Sequence, residues 1–446
     1  MTKKAIILLS FLITTNCFSQ TDSNKIAVNN FLNYLSKENS FLGTVEMKKG
    51  NETVYSYKSN PLKAENGQYR VGSVTKIFTA IAVFQLIEEK KLTLQTPLSK
   101  FYPQIKYADQ ITIENLLSHT SGIFNITFWD NYYSTRNQNF SKEQILNIIT
   151  KEKPDFKPNK DCSYSNSNYV LLGYIIEDLT GKSYATNIDE RIVKKAGLQK
   201  TFVAENEQDI KQYKSYLFNG KDWFEDVSSH PSLPFAAGAI ISNVSDLNKL
   251  MYHLFHGDLV SNESLAVMQK LKSKAIGHGL FKAPFYDKIG WGHTGGIDEF
   301  KSAALYFPSE DLYLSITCNG SRLNINDIMV GILSAYFDKK YEYPVFYHSE
   351  VTKPELAIFT GTYKAKIAGL VTIAKFEITE AENNYLFMNE LENGKIGERA
   401  LLERMDANTF FLRNAKGKLI FTMENNKVKN LVLEQGKMAI KCVKVK

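Results

Sequence analysis

Residues 71–91 of the chain, VGSVTKIFTAIAVFQLIEEKK, place a serine and a lysine at the start of a long apolar segment. From Ile77 the segment is apolar almost all round, and it becomes charged only at 88–91. This pattern predicts a buried helix that emerges into solvent at its C-terminal end. Ser73 and Lys76 lie three residues apart, so both side chains face the same side of that helix.

The serine and the lysine together suggest a nucleophile and its base. A serine hydroxyl is a poor nucleophile until a base takes its proton, and a lysine in apolar surroundings can have its pKa lowered enough to act as that base. Ser-x-x-Lys alone is a weak signal, because any surface helix can contain it by chance. The apolar residues after Lys76 strengthen it, since a buried lysine without a partner would be strongly destabilising.

A second polar cluster, Tyr164-Ser165-Asn166, lies in SYSNSNYVLLG just before another apolar segment. A phenol beside a cationic lysine can ionise and act as a general base, and the amide of Asn166 can orient a substrate amide and the lysine. The alternative is a loop tyrosine followed by an asparagine that caps the next helix. The residues alone leave both interpretations open.

The glycine-rich segment GHTGG at 292–296 lies between two strand-like runs. Glycines let backbone N–H groups approach a ligand closely, so a strand edge here would supply one oxyanion donor. That donor is the N–H of Gly296, opposite the N–H of Ser73 at its helix N-terminus. The alternative is an ordinary glycine-rich hairpin turn.

In this order and spacing, the three segments resemble the active-site motifs of the serine β-lactamase and penicillin-binding-protein superfamily. The resemblance is to the branch that contains class C β-lactamases, D-stereospecific peptidases and related esterases. LLSHTSG at 116–122 is similar to that branch's LLxHTSG segment, and AGAIISNVSDL at 237–247 is similar to its AGG-x-x-S-x-x-D-L segment. The resemblance covers about 26–337.

The resemblance implies a role for each matching residue. It implies the following: Ser73 as the acylated nucleophile, Lys76 as its base or base partner, Tyr164 as a proton shuttle, Asn166 as a substrate-amide ligand, His293 as the third-motif side chain, Thr294 and Gly295 as substrate-binding residues, the N–H groups of Ser73 and Gly296 as the oxyanion donors, and 119–122 as a structural segment. No metal or organic cofactor is implied.

The third motif departs from the family pattern, because His293-Thr294-Gly295 stands where the lactamases carry Lys-Thr-Gly. A permanent cation suits the carboxylate of a β-lactam, whereas a histidine is neutral for much of the time at pH 7. The departure favours a peptidase or esterase over an efficient lactamase. It also predicts a titration of activity near the ordinary histidine pKa of about 6.5.

The first twenty residues differ from the rest of the chain. Two lysines precede the apolar run 5–13, and small residues follow at Cys17 and Ser19, which is typical of a secretory signal peptide cut near Ser19. Lipidation of Cys17 is a less favoured alternative, because residues 14–16 match a lipobox poorly. We therefore expect a secreted or periplasmic protein with no transmembrane segment after the signal.

Composition and cysteine usage exclude several other classes. Of the 446 residues, 43% are hydrophobic and 23% charged, which indicates a packed globular protein. The net charge of +7 is spread along the chain and gives no argument for nucleic acid. Cys162, Cys318 and Cys442 form no disulfide framework, and neither Cys-x-x-Cys nor HExxH occurs, so no metal site is expected.

Strand-like runs at both ends of a mainly helical middle predict an α/β (α+β) sandwich, with one antiparallel sheet built from the two ends. Beyond it, six short β-rich runs separated by turn signals predict a small antiparallel barrel or sandwich. The predicted division is as follows: a signal peptide at 1–19, a β-lactamase-like serine hydrolase domain at 20–340, a linker at 341–355 and the all-β domain at 356–446.

The sequence thus predicts a secreted serine hydrolase that forms an acyl-enzyme on Ser73. The expected substrate is a small molecule or peptide, of D-amino-acid or cell-wall peptide type, such as one derived from peptidoglycan. The alternatives are a carboxylesterase or weak class C-like β-lactamase, and a cell-wall or β-lactam sensor that is acylated without turnover. Specificity is expected to lie in the loops at 130–140 and 205–234.

Overall fold

The computed structural model describes residues 23–59, 67–347, 353–367, 371–381, 385–392, 395–413 and 415–445. The predicted signal peptide, with Cys17, lies outside the described residues. The helices are α1 (23–37), α2 (Thr75–Glu88), α3 (Ile113–Leu117), α4 (Tyr132–Thr135), α5 (Lys142–Lys151), α6 (Asn166–Thr180), α7 (Tyr184–Ile188), α8 (Glu207–Ile210), α9 (Val244–Phe255), α10 (Asn262–Gln269), α11 (Ile325–Tyr336) and α12 (Lys353–Ala357).

The strands form two sets, one before residue 322 and the other after residue 360. They are β1 (Phe41–Lys49), β2 (Glu52–Lys58), β3 (Tyr69–Arg70), β4 (Phe202–Val203), β5 (Tyr216–Phe218), β6 (Trp223–Glu225), β7 (Ile240–Ser242), β8 (Phe281–Phe285), β9 (Lys288–Ile297), β10 (Phe300–Phe307), β11 (Leu312–Ser321), β12 (Gly361–Ile367), β13 (Val371–Glu380), β14 (Leu386–Glu392), β15 (Lys395–Arg404), β16 (Thr409–Leu412), β17 (Gly417–Glu424), β18 (Lys427–Gln435) and β19 (Met438–Lys444).

The main sheet has six antiparallel strands in the order β2-β1-β11-β10-β9-β8. Strand β1 pairs with β11, with Val45 opposite Ile316, so the two ends of this part of the chain meet in one sheet. Every residue of β11 is buried, because helices cover both faces of the sheet. The predicted α/β sandwich with a sheet from both ends is confirmed.

Two apolar clusters hold the helices on this sheet. One joins α1 and α11 to the first face through residues such as Phe31, Ile316 and Ile332. The other packs the helical middle, including α2, α6 and α9, on the second face. Helix α2 is buried along almost all its length, as the apolar segment predicts, and it is this burial that holds Lys76 away from water.

The C-terminal strands β12 to β19 form a closed eight-stranded barrel around an aromatic core that includes Tyr363, Phe376, Phe410 and Phe421. The predicted all-β domain is therefore a barrel, and its strands include two that the sequence did not indicate, β12 and β15. The sequence of β15, KIGERALLER, is rich in helix-favouring residues, so its local preference opposes the strand that barrel closure requires.

The predicted linker begins against helix α1. The Tyr341 and Phe31 rings lie 5.5 Å apart, and the hydroxyl of Tyr34 donates to the Pro344 carbonyl at 2.7 Å. Farther along, Leu356 on α12 belongs to the barrel core. The domain boundaries at 340 and 356 stay predictions. None of the helices in the described ranges combines the length and the hydropathy that a membrane span requires.

Candidate active site

Ser73 is held on a tight turn between a short strand and a buried helix. Strand β3 ends at Arg70, and a 3₁₀ turn at Gly72–Val74 leads directly into α2. Gly72 has a φ of +48°, and a Cβ at this position would lie 2.7 Å from the backbone carbon of Gly296. Only glycine fits this turn without displacing the neighbouring strand. The turn therefore places the Ser73 backbone directly against β9.

The amine of Lys76 is surrounded by three oxygen atoms. Its Nζ lies 3.0 Å from Ser73 Oγ, 2.8 Å from Asn166 Oδ1 and 2.9 Å from the Ala237 carbonyl oxygen. Burial lowers the pKa of Lys76 well below its ordinary value, which favours the neutral amine. A neutral amine has two N–H groups, and the two carbonyl oxygens can only accept them. Its lone pair is then left for the hydroxyl proton of Ser73.

The phenol of Tyr164 lies on the other side of the nucleophile. Its hydroxyl donates to Ser73 Oγ at 2.9 Å, and Lys76 Nζ lies 4.9 Å from its ring centroid. Burial raises the pKa of Tyr164, so the neutral phenol is favoured over the ionised form that the sequence suggested. The geometry thus favours Lys76 as the group that takes the Ser73 proton and Tyr164 as a proton donor.

The side chain of Asn166 is held by a residue that the sequence did not single out, Asn125. The Asn125 Oδ1 atom accepts from the Asn166 backbone N at 3.0 Å and from its Nδ2 at 3.2 Å. These bonds turn the Asn166 oxygen toward Lys76. No sequence signal marks Asn125, because it lies in an ordinary loop about forty residues earlier in the chain.

The segment 119–122 supports the tyrosine loop from behind. The His119 and Tyr164 rings are 4.5 Å apart, and His119 Nδ1 accepts from the Ser165 backbone N at 3.1 Å. Burial and the nearby Lys76 and His293 lower the pKa of His119, so it accepts this bond as a neutral ring. These contacts agree with the structural role that the resemblance implied.

The glycine-rich segment at 292–296 belongs to a strand, so the alternative of a hairpin turn is wrong. Strand β9 runs through it and pairs with β10, whereas β8 begins opposite Gly292 and leaves the other edge of β9 open beyond that point. This open edge lies against the nucleophile. A Cβ on Gly295 would lie 2.1 Å from the Val71 carbonyl oxygen and 3.0 Å from the Ser73 nitrogen.

His293 is buried beside the catalytic cluster instead of facing the solvent. Its ring centroid lies 4.2 Å from that of Phe281 and 6.2 Å from that of Tyr164, and its Nδ1 contacts the Thr294 carbonyl oxygen. Burial above all, and Lys76 when it carries a proton, lower the pKa of His293 to about 3. The ring is therefore neutral at pH 7, and the predicted titration near pH 6.5 does not agree with this environment.

A cavity of about 540 Å³ opens beside Ser73. Both loops expected to determine specificity contribute to its wall. The lining residues are Ser73, Ile126, Thr127, Tyr132, Tyr133, Arg136, Asn166, Leu217, Phe224, Glu225, Asp226, Val227, Ser229, Leu233, Pro234, Ala237, Gly238, Gly296, Ile297, Asp298, Glu299 and Arg399. Thr294 and Gly295, predicted to bind substrate, are not among these lining residues.

Ion pairs tie the cavity wall together. Arg70 Nη1 lies 2.8 Å from Asp298 Oδ2, with both side chains buried, and Ser229 donates its backbone N to the same oxygen at 3.0 Å. Arg136 Nη2 lies within 2.9 Å of both carboxylate oxygens of Asp226. These pairs join the turn before Ser73, the β9–β10 hairpin and both loops. Sequence reasoning missed them because their members are far apart in the chain.

A serine on the turn before a buried helix, a lysine on that helix, a phenol opposite and an open strand edge define the serine hydrolases of the β-lactamase and penicillin-binding-protein fold. The family model described as Beta-lactamase matches residues 43–328, more than half of the chain. The chain therefore belongs to the beta-lactamase family. The predicted superfamily, with its D-stereospecific branch, is confirmed. The prediction of a serine hydrolase is confirmed as well, because this is the enzyme class of the family.

Two relatives indicate the branch, and a third protein shares the fold. A teichoic acid D-alanine hydrolase of Staphylococcus aureus is 26% identical over 265 residues, covering 57% of this chain and 64% of the relative's length. A D-stereospecific amidohydrolase from Streptomyces sp. is 26% identical, with a TM-score of 0.59 over 71% of this chain and 97% of its own. The octameric penicillin-binding protein homologue from Pyrococcus abyssi, 21% identical, matches the fold over 93% of this chain and 99% of its own, with a TM-score of 0.61.

Proposed function

We propose that this protein hydrolyses D-amino-acyl amides, peptides or esters through an acyl-enzyme on Ser73. The observation that carries the proposal is the position of Lys76, whose two carbonyl partners leave its lone pair for Ser73. The family and the names of the relatives, a D-alanine hydrolase and a D-stereospecific amidohydrolase, support the substrate class. The predicted signal peptide supports action outside the cytoplasm, on cell-wall material.

The proposed acylation follows from the hydrogen bonds around Ser73. Lys76 takes the hydroxyl proton while Oγ attacks the scissile carbonyl carbon, and the N–H groups of Ser73 and Gly296 stabilise the resulting oxyanion. Tyr164 donates its proton to the leaving amine or alkoxide as the carbon–leaving-group bond breaks, and Lys76 returns a proton to Tyr164. The products of this step are the Ser73 ester and the released amine or alcohol.

The proposed deacylation reverses these proton movements with water as the nucleophile. Water attacks the Ser73 ester and passes its proton to the tyrosine–lysine pair, and the same backbone N–H groups stabilise the second oxyanion. The carbon–Oγ bond then breaks, and Ser73 regains its proton. The free acid leaves, and the neutral forms of Lys76 and Tyr164 are restored.

An esterase is the second candidate, and one observation favours it over a lactamase. The neutral, buried His293 provides no cation where the lactamases have lysine. A β-lactam carboxylate would therefore lack its usual partner at this position, whereas a neutral ester needs none.

The test uses a D-Ala-D-Ala peptide, a short D-alanyl ester and a chromogenic cephalosporin with the purified protein. Ser73→Ala should lower turnover by about a thousandfold or more and abolish labelling by a fluorophosphonate. Ser309→Ala, which removes an exposed hydroxyl, is the matched control and should retain both. Mass spectrometry should place the acyl group on the peptide that contains Ser73.

The other outcomes separate the alternatives. Acylation that stops at one equivalent on all three substrates identifies a sensor without turnover. Labelling that persists on another serine in the Ser73→Ala protein contradicts the proposed mechanism.

A further inference from the structure

The barrel contributes one described residue, Arg399 of β15, to the cavity beside Ser73. All the other lining residues come from the part of the chain before 300. The site is thus formed by both parts of the chain. The barrel residue is a cation, whereas the His293 ring in the catalytic cluster is neutral at pH 7 and burial lowers the pKa of Lys76.

Arg399 is held in place by buried neighbours within the barrel. Its Nε donates to Asn389 Oδ1 at 3.0 Å, and the fully buried Asn389 amide in turn donates to Thr379 Oγ1 at 2.9 Å. The guanidinium carbon lies 5.3 Å from the centroid of the Phe387 ring. Phe387 contacts Phe224, which also lines the cavity. These contacts fix the base of the guanidinium in the cavity wall that Arg399 lines.

The other charges of the cavity wall differ from Arg399 in having partners. Arg136 pairs with Asp226, and Asp298 pairs with Arg70. Glu225 pairs with Lys214, which lies 2.7 Å away. Among the side chains that the structure describes, no ion pair joins Arg399 to a carboxylate. Arg399 therefore offers hydrogen-bond donors that no described acid neutralises.

We propose that Arg399 binds an anionic group of the substrate, a carboxylate or a phosphate, at a distance from the scissile carbonyl. A guanidinium presents a planar fork of donors that matches the oxygens of either group. The substrate class then becomes D-amino-acyl compounds that carry an anion on the part beyond the scissile bond. This inference rests on the proposed function only in taking the cavity as the substrate site.

The experiment measures binding without turnover, in the Ser73→Ala protein. The ligands are three D-alanyl amides of equal chain length, formed with 3-aminopropyl phosphate, with 3-aminopropanoic acid and with 3-aminopropanol, and binding is measured by isothermal titration calorimetry. Arg399→Gln should weaken binding of the phosphate or the carboxylate amide by about tenfold or more, because a charge-assisted hydrogen bond is lost. The neutral amide should change by less than about twofold. The anionic amide whose affinity falls more shows whether Arg399 binds a phosphate or a carboxylate.

Two further variants keep the experiment decisive. Lys375→Gln removes an equal charge from an exposed position of the barrel and should bind all three ligands as before. Arg399→Lys keeps the charge but lacks the planar pair of donors. Its affinity for the anionic amides should lie between that of the parent and that of Arg399→Gln. Circular dichroism and thermal unfolding should show all three variants folded.

Three results would overturn the inference. They are an equal loss for the neutral and the anionic amides, no loss for either anion, and no binding of either anion at millimolar concentrations with Arg399 intact. Failure of the proposed function has a different signature. In that case the protein with Ser73 intact hydrolyses none of the amides, while the binding that depends on Arg399 persists.

Discussion

Lys76 shows how one buried side chain sets the pH range of the site. A charged ammonium in this apolar helix would lose most of its hydration, and three oxygens replace only part of it. The pKa of Lys76 therefore falls well below its ordinary value, which favours the neutral amine that can act as a base. Activity should decline only when the pH drops through that lowered pKa.

His293 provides a test of this electrostatic environment. Because its folded-state pKa is about 3, the ring stays neutral from about pH 5 to 8 and adds no titration there. His293→Gln should leave the shape of the pH profile of kcat/KM on a neutral ester unchanged over that range. Its absolute value should fall by up to about tenfold, because the ring contacts with Phe281 and Tyr164 are lost.

The control for this measurement is His256→Gln, which replaces an exposed histidine at the C-cap of helix α9. Its profile should match that of the parent protein in shape and height. An inflection near pH 6.5 that is present in the parent and absent only from His293→Gln would show that His293 titrates after all.

The catalytic side chains could be predicted from sequence more completely than the residues that hold them. Ser73 and Lys76 lie three residues apart where a 3₁₀ turn leads into α2, so their spacing alone brings them together. The tyrosine loop carries a recognisable motif. Asn125 carries no such pattern. Arg70 and Asp298 look like ordinary surface charges until the fold buries them against each other. Contacts of this kind depend on the tertiary structure and have no local signal.

At the scale of elements, the contact between β9 and the nucleophile turn is made by backbone against backbone. Gly295→Ala would place a Cβ 2.1 Å from the Val71 carbonyl oxygen, so the strand or the turn must move. We expect a loss of about 1–3 kcal/mol in the free energy of unfolding, as for other overpacked sites. Labelling of Ser73 by a fluorophosphonate should slow by about tenfold or more, because one oxyanion donor shifts.

The next residue of the same strand provides the matched control. A Cβ on Gly296 would meet only the Phe300 carbonyl oxygen, at 3.8 Å. The free energy of unfolding of Gly296→Ala should therefore lie within about 0.5 kcal/mol of that of the parent. Urea denaturation measures both variants. Equal stability and equal labelling of the two would mean that this close approach does not position the oxyanion edge.

The elements themselves were predicted best where a hydrophobic period is strong. Helix α2 and the β1–β2 hairpin follow the apolar pattern closely, and the Asn425-Asn426 turn takes positive φ at both residues, as a tight hairpin requires. Strand β15 was missed because its helix-favouring residues are overridden by its pairing with β14 and β16. The hairpin alternative for 292–296 failed because the turn falls later, at Asp298.

At the scale of the whole molecule, a buried carboxylate joins the barrel to the sheet. Glu403 of β15 is 2% exposed, and its Oε1 lies 2.9 Å from Arg322 Nη2 and 2.7 Å from Arg413 Nε. Burial alone would raise the pKa of Glu403, but the hydrogen bond from Arg413 and both guanidinium charges lower it overall. The ionised form is therefore the one that stabilises the folded state.

Glu403→Gln should lower the free energy of unfolding by about 3 kcal/mol at pH 7, because it leaves two arginines near each other without their shared carboxylate. Since the folded-state pKa is depressed, this stabilisation is present above the ordinary glutamate pKa and is lost as the pH falls through the lower, folded-state value. Chemical denaturation between about pH 3 and 7 should show a parent curve that falls toward the variant at low pH.

Exposed Glu424, paired with Lys429 at the surface of the barrel, is the control position. Glu424→Gln should change stability by less than about 1 kcal/mol. An equally small effect of Glu403→Gln would show that the carboxylate does not join the two parts of the molecule.

The pairing of β1 with β11 also has a consequence for the order of folding during synthesis. Val45 meets Ile316 across the sheet, so the partner of β1 is made about 270 residues after it. At ordinary rates of translation, β1 waits on the order of tens of seconds before that partner exists. The β1–β2 hairpin cannot complete the sheet in that interval, because one edge of β1 has no strand to pair with. The sheet therefore closes only after nearly all of this part of the chain has been made.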